Sequence, residues 1–365
     1  MSGESRDAAI AALRDPLATL AYGLPAWESL IAQARSAGVL GKLAARLEKA
    51  HGLAAVPAAP RSHLVAALTH AESQRSGVRR EIEHLRAALA ELACDVVLLK
   101  GGAYVASGVA AAEGRMFNDI DILVPRSQLN EVEAALMLHG WATTHLDAYD
   151  QRYYREWTHE LPPMRHVTRG TTVDVHHAIL PLTARLHPDS RKLLSAARSI
   201  AGEPRFRVLA PTDMVLHSAT HLFHNEELGE GLRDLSDLDA LLREFGDAPG
   251  FWTALVDRGT ELDLARPLHY ALRYTTHILQ TPVPGTVTRA AARAAGGALF
   301  LPVMDSLFLR ALRPDHPGSD DRLTPLARKL LYVRAHWLRM PPLLLVRHLM
   351  TKALRREPTS GKVTP

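Results

Sequence analysis

The spacing of apolar residues divides the chain into three stretches. From Arg6 to about His51 the pattern is Ala/Leu-rich and helical, and a Pro/Ala/Gly connector follows at 52–62. Beyond it, Leu64, Leu68, Val78, Ile82, Leu85, Leu89 and Leu92 recur at intervals that predict a long amphipathic helix. At Asp95 the period changes. "DVVLLK" is a short apolar run closed by Gly101-Gly102, "AYVASGVAA" predicts a short helix, and "DIDILVP" predicts a second strand stopped by Pro125. "RSQLNEVEAALMLHGW" predicts a helix with Ser127 as N-cap, ending at Gly140. "ATTHLDAY" and "RHVTRGTTVDVHHAIL" predict strands, the latter with a hairpin turn at Arg169-Gly170. After Pro181 the pattern reads as helical to the end, most clearly in "PTDMVLHSATHLFHNEE", "LRDLSDLDALLREF" and "LARKLLYVRAHWLRM". The layout is α+β: an N-terminal helical region (1–90), a small α/β core (91–180) and a C-terminal helical region (181–365).

Two residues break the apolar run of the second strand. Asp119 and Asp121 lie two apart, so they face one side of a strand together, roughly 6.5–7 Å apart along it, while Ile120 and Ile122 face the other. Unpaired buried carboxylates cost several kcal/mol, and two like charges raise each other's pKa unless something positive lies between them. A divalent cation does this, and oxygen-only ligands suit Mg²⁺. Asp174, between Val173 and Val175, offers a third carboxylate in the same alternation. Upstream, Gly101 and Gly102 end a strand and enter a helix, where free N–H groups and the helix dipole favour phosphate. The spacing excludes a P-loop.

The combination resembles the nucleotidyltransferases of the DNA-polymerase-β-like superfamily, with a helix-opening Gly-Gly or Gly-Ser, a D-x-D strand and a third acid on a later strand. "LLKGGAYVASGVAAAEGRMFNDIDILV" with "VDVHHAI" is similar to the group of uncharacterised bacterial nucleotidyltransferases within it, whose pattern is roughly L-K-G, an arginine, D-I-D-L-L-V, then V-D-L-H. The resemblance covers about 95–180, with further similarity to about 245 in "THLFHNEELGEGLRDLSDLDALL". It implies a mixed-sheet core like the polymerase-β palm, flanked by helices. It also implies transfer of a nucleoside monophosphate from an NTP to a hydroxyl or amine, with Mg²⁺ or Mn²⁺ and release of pyrophosphate. By position, Gly101 and Gly102 would hold the triphosphate and Asp119 and Asp121 would ligate both metals. Asp174 would ligate the catalytic metal and help deprotonate the acceptor. Gly102 stands where the group often has a small hydroxyl residue. A catalytically silent nucleotide-binding regulator or antitoxin-like module would keep the same residues, and this reading stays open.

Supporting residues carry competing readings. Lys100 can neutralise a phosphate or be a solvated strand end. Arg115 can pair with Asp119, reach the γ-phosphate or make a structural salt bridge nearby. Asn118 shapes the strand entry. His176 shares a face with Asp174 and either orients it or contacts substrate, whereas His177 faces away. His217, His221 and His224 form a stripe on one helix, read as pocket wall before zinc site because no acid motif accompanies them. Arg233, Asp234 and Asp237 can close the nucleotide pocket or form the charged face of a helix.

Composition adds little. The 365 residues carry a net charge of +4, with 36 arginines to 7 lysines, a bias that reads as compositional rather than functional. The single cysteine, Cys94, excludes a disulfide framework and fits a reducing compartment. No secretory signal or membrane span is legible, so the expected location is cytoplasmic, with peripheral contact at the membrane left open for the basic C-terminal helices. Between Leu323 and Arg356 eight Lys/Arg occur with no acid. Such helices can lie on anionic lipid, bind a polyanion or pack on their own domain; the last is expected for 326–340, and 343–356 is left open. The expected partners are an NTP and an unidentified acceptor, not sequence-specific nucleic acid, since no basic stripe interleaved with aromatics is present.

Overall fold

The computed structural model describes residues 6–143, 147–200, 203–296 and 300–341. Seven strands form one open mixed sheet: β1 (Val96–Leu98), β2 (Asp119–Leu123), β3 (Trp141–Thr143), β4 (Met164–His166), β5 (Thr172–His176), β6 (Arg198–Ile200) and β7 (Glu203–Val208). Their spatial order is β3-β4-β5-β2-β1-β7-β6. The pairs β2/β5 and β1/β7 are parallel and the others antiparallel. The open mixed sheet flanked by helices agrees with the palm-like core that the resemblance implies.

Helices surround the sheet. Before it come α1 (Ala8–Arg14), α2 (Leu24–Ser36), α3 (Leu40–Lys49) and the long α4 (Ala58–Ala88). Inserted in it are α5 (Lys100–Ser107), α6 (Leu129–Leu138), α7 (Ala148–Trp157) and α8 (Ser190–Ala196). After it follow α9 (Pro211–His224), α10 (Gly231–Gly246), α11 (Phe251–Glu261), α12 (Ala265–Leu279), α13 (Gly285–Ala294), α14 (Leu301–Ala311) and α15 (Thr324–Arg339). The fully buried Leu64 and Leu85 of α4 and Leu98 and Leu99 around β1 belong to one continuous core. The rings of Phe223, Tyr270, Tyr274 and Phe308 lie 5.2–5.9 Å apart and join α9, α12 and α14. Such ring pairs add about 0.5–1.5 kcal/mol each beyond their buried area.

Four expectations are corrected. The chain after Pro181 is not helical throughout: β6 and β7 extend the sheet, β7 lying against the central β1. Phe206 and Val208 are buried while Arg205 is exposed, an alternation too short to stand out. Ser127 is not an N-cap, because a 3-10 turn, Arg126–Gln128, delays α6 to Leu129. "ATTHLDAY" is not one strand: β3 ends at Thr143 and α7 begins at Ala148, with 144–146 outside the described residues. The diglycine lies within the first turn of α5 rather than before it.

The basic helix α15 packs on α14 and α9, with Arg334 donating to the Phe223 carbonyl and Arg339 to Glu226. The packing on its own domain agrees with the expectation for 326–340, but Arg334 and Arg339, expected in solvent, are half-buried and bonded, while 343–356 falls outside the described residues. Among the described residues no helix is long and apolar enough to cross a membrane.

The N-terminal helices meet the core backbone to backbone. Gly114, at φ +62°, faces Gly41 of α3 so closely that a Cβ on Gly41 would stand 2.4 Å from the Gly114 oxygen. Neither position has room for a methyl group. Gly41→Ala should therefore destabilise the protein by about 1–3 kcal/mol or more, the usual cost of overpacking. Denaturant titration measures this, and an unchanged midpoint would show that the contact yields.

Candidate active site

The site is built on two parallel strands. β2 and β5 pair with Asp121 opposite Asp174 and Asp119 opposite Thr172. Neighbouring strands run about 4.8 Å apart, so all three carboxylates stand on one face. Ile120, Val173 and Val175, alternate to them, are buried.

Asp121 is the most enclosed of the three, only 2% exposed. Its Oδ1 accepts from Lys100 Nζ at 2.8 Å and from His176 Nε2 at 2.9 Å. His176 Nδ1 in turn lies 3.3 Å from Glu160 Oε2. Burial alone pushes the Asp121 carboxyl up, but Lys100 and His176 outweigh it and hold the group well below the usual carboxylate range. The neighbours go the other way. Burial, then the Asp121 charge, raises Asp119. Burial, then Asp121 and Glu160, pushes the Asp174 carboxyl up to about 7. Asp174 Oδ1 is buried without a hydrogen-bond partner. Four carboxylates thus converge on one ammonium and one imidazole. Hard oxygen donors in negative excess, one of them unsatisfied, have the chemistry that suits Mg²⁺ or Mn²⁺.

Lys100 adopts a left-handed backbone at φ +43° where the chain turns from β1 into α5. Backbone strain of this kind is concentrated at functional sites. The two glycines differ. A Cβ on Gly101 would fall 2.7 Å from both Arg115 Nη1 and Phe117 Cδ1, whereas one on Gly102 would make an ordinary 3.5 Å contact with Ile120. Gly101 lets Arg115 lie against the start of the helix.

Arg115 does not pair with Asp119. Its Nε donates to Asp237 Oδ2 at 2.8 Å and its Nη1 to the Met116 carbonyl at 3.1 Å. Asp237 also takes Lys42 of α3 at 2.6 Å. Of the readings left open for Arg115, the structural salt bridge is the one observed.

A cavity of about 310 Å³ opens beside these groups, with Lys100, Gly101, Arg115, Asn118, Asp119 and Asp121 on the core side. Helices α9 and α10 face them with Ser218, His221, Arg233, Asp234 and Asp237. On the other side of Lys100 a smaller cavity of about 200 Å³ carries Asp174, His176, His159, Glu160 and Arg339. A larger one, about 830 Å³, lies behind Lys42 near Arg46 and Arg243, away from the acids; both of those arginines are bonded to Asp239.

Two histidines of the stripe form cavity wall: His221 lines both the 310 Å³ and the 200 Å³ cavity, with Nδ1 3.6 Å from Asp234, and His224 lines the smaller of these while its Nδ1 donates to the Thr220 carbonyl; His217 is buried. His177 is buried, and its backbone N–H donates to the His159 carbonyl. Three residues escaped the sequence reading. Lys42 sits on a helix with no sign of a distant acid, and His159-Glu160 lie in a connection whose only local signal is an acid beside a histidine. An isolated bridge, Glu160 to His176, brings that pair onto β5.

A family model described as an uncharacterised nucleotidyltransferase matches residues 25–280. The chain belongs to this family. The family lies within the DNA-polymerase-β-like superfamily, and membership supports nucleotidyl transfer as the general activity. The match runs from α2 through the whole sheet into α12, further in both directions than the motifs alone reach. No curated protein and no solved structure matches the chain.

The raised Asp174 carboxyl has a consequence for stability. In the metal-free protein the folded group keeps its proton to about pH 7, whereas an unfolded aspartate releases it near about pH 4. Between these values the folded state binds the extra proton, so this stabilising contribution falls as pH rises and is fully lost above the folded value. Asp174→Asn removes the effect. In EDTA, the variant should gain stability over the wild type at pH 8 and not at pH 4, measured by denaturant titration. An offset independent of pH would contradict the shift.

Proposed function

We propose that the protein transfers a nucleoside monophosphate from an NTP to an acceptor hydroxyl or amine, releasing pyrophosphate. The observation that carries this reading is the in-register pair Asp121–Asp174 with Asp119 on the same face, beside the helix that opens with Gly101-Gly102, in a chain of this family. The triphosphate lies in the 310 Å³ cavity. There Lys100 and the first N–H groups of α5, including those of Gly101 and Gly102, meet its oxygens. Arg115, fixed by Asp237, stands beside them on the core side, and Arg233, bonded to Asp234 at 2.9 Å, faces them from α10; both are anchored positive charges.

Asp119, Asp121 and Asp174 are the residues that hold Mg²⁺, or Mn²⁺ in its place. When bound, the metal neutralises charge developing on the phosphoryl oxygens. The chain's own groups do the positioning. His176 and Lys100 keep Asp121 ionised, and the 200 Å³ cavity brings the acceptor to Asp174. The acceptor oxygen or nitrogen attacks the α-phosphorus in line, its proton passes to the Asp174 carboxylate, and the bond to the β-phosphate oxygen breaks as pyrophosphate leaves. Little further acid–base help from protein is required for such transfer.

Asp119→Asn and Asp121→Asn should each lower turnover by on the order of 10³-fold, about 4 kcal/mol of transition-state stabilisation, with the circular dichroism spectrum unchanged. The assay is pyrophosphate release with each NTP and Mg²⁺, coupled to mass spectrometry of the protein and candidate acceptors. Turnover retained in a purified Asp119→Ala/Asp121→Ala double variant would sink the assignment. Tight Mg²⁺-dependent NTP binding without pyrophosphate release would point instead to a silent nucleotide-binding module.

A further inference from the structure

We propose that His159, Glu160 and His176 form a second cation site, separate from the three aspartates, for a transition-metal dication of the Zn²⁺ class. Ligand-capable atoms of these three residues all lie within 4.8 Å of one another. Glu160 Oε2 stands 3.3 Å from His176 Nδ1 and 3.9 Å from His159 Nε2. Bonds of about 2.0–2.1 Å at tetrahedral angles separate neighbouring ligands by roughly 3.4 Å, so these atoms need to move little to enclose an ion.

The hydrogen bonding of His176 decides which nitrogen is free. Nε2 is committed to Asp121 Oδ1, a carboxylate oxygen, and so donates its hydrogen there. Nδ1 faces Glu160, buried and without a hydrogen-bond partner despite the short distance; where the flanking carboxylates hold a proton on it, the metal ion takes that proton's place. A carboxylate fixing one ring nitrogen while the other points at an acid oxygen is the arrangement that supports metal-bound histidines.

The backbone holds the three in place. Glu160 bridges to His176, the Leu161 N–H donates to the Val175 carbonyl, and the His177 N–H donates to the His159 carbonyl. Two imidazoles and one carboxylate favour Zn²⁺, Mn²⁺ or Fe²⁺ over Mg²⁺, which prefers oxygen throughout. The remaining coordination positions open on the 200 Å³ cavity that also contains Asp174. Binding of the ion stands on this geometry alone. Its role, holding the acceptor's oxygen against Asp174, rests on the transfer reading.

The test uses full-length protein stripped with EDTA and then kept in excess Mg²⁺, so that the aspartates are engaged. Zn²⁺ is added in a calorimeter, Co²⁺ is followed by its visible absorption, and ¹⁵N spectra report the histidine rings. One equivalent of Zn²⁺ is expected to bind and shift His176 Nδ1. His159→Ala and the near-isosteric Glu160→Gln should each weaken it by more than the about 10–100-fold that loss of an outer partner brings. Asp119→Asn should leave it intact. The proposal is overturned if no stoichiometric binding survives excess Mg²⁺, or if neither substitution weakens it. It is equally overturned if His176 keeps protons on both nitrogens with Zn²⁺ present. None of these outcomes alters pyrophosphate release by the wild type in Mg²⁺ alone, so the transfer reading is judged separately.

Discussion

Three parts of the chain meet on one buried carboxylate. Asp237, on α10 and 2% exposed, receives Lys42 from the N-terminal helices and Arg115 from the segment leading into β2. Burial pulls Lys42 below the usual lysine value, and Asp237 is what opposes it. Burial likewise works against the Arg115 charge, but Asp237 and Asp234 outweigh it. Taking one member from such a group leaves an uncompensated charge in the interior, typically at a cost of about 3–5 kcal/mol. The walls of the 310 Å³ cavity are therefore fixed by the same contacts that fasten the helical regions to the sheet.

The face that carries Asp119, Asp121 and Asp174 obeys the same electrostatics with the sign reversed. At Asp237 two cations share one acid. Around Asp121, several acids share Lys100 and His176. Burial, reinforced by that excess of negative charge, lifts Asp119 and Asp174, and an oxygen of Asp174 is left unsatisfied. A strand pair that places acids in register has to be supplied with cations. Here the protein supplies only part of them.

What the sequence made legible follows from the range of the forces involved. Asp119, Asp121 and Asp174 could be placed on one face because strand alternation is local, and the hairpin at Arg169-Gly170 agrees with β4 pairing antiparallel to β5. Helices α4, α9 and α10 show their periodicity over several turns. Ser127 misled because its preference is real but weak beside the 3-10 turn that follows Pro125. β6 and β7 were missed because an edge strand of three residues and a six-residue partner carry too few alternations to read. Arg115's partner, and the approach of Lys42 and Glu160, depend on contacts between distant segments that no local pattern encodes.

The strand order also constrains how the protein comes into being. β1 lies between β2 and β7, and Val96, Val97 and Leu98 take Phe206, Arg207 and Val208 as partners across more than a hundred intervening residues. On a ribosome, β1 is made long before the strand that completes its second edge. Until β7 arrives, a row of backbone N–H and C=O groups beside the emerging centre is open to wrong partners. Lys100, which follows β1 directly, inherits that delay. The acid-bearing face is thus among the last features to acquire its final shape, and nascent chains halted before residue 208 would hold the acids without the strand that braces them.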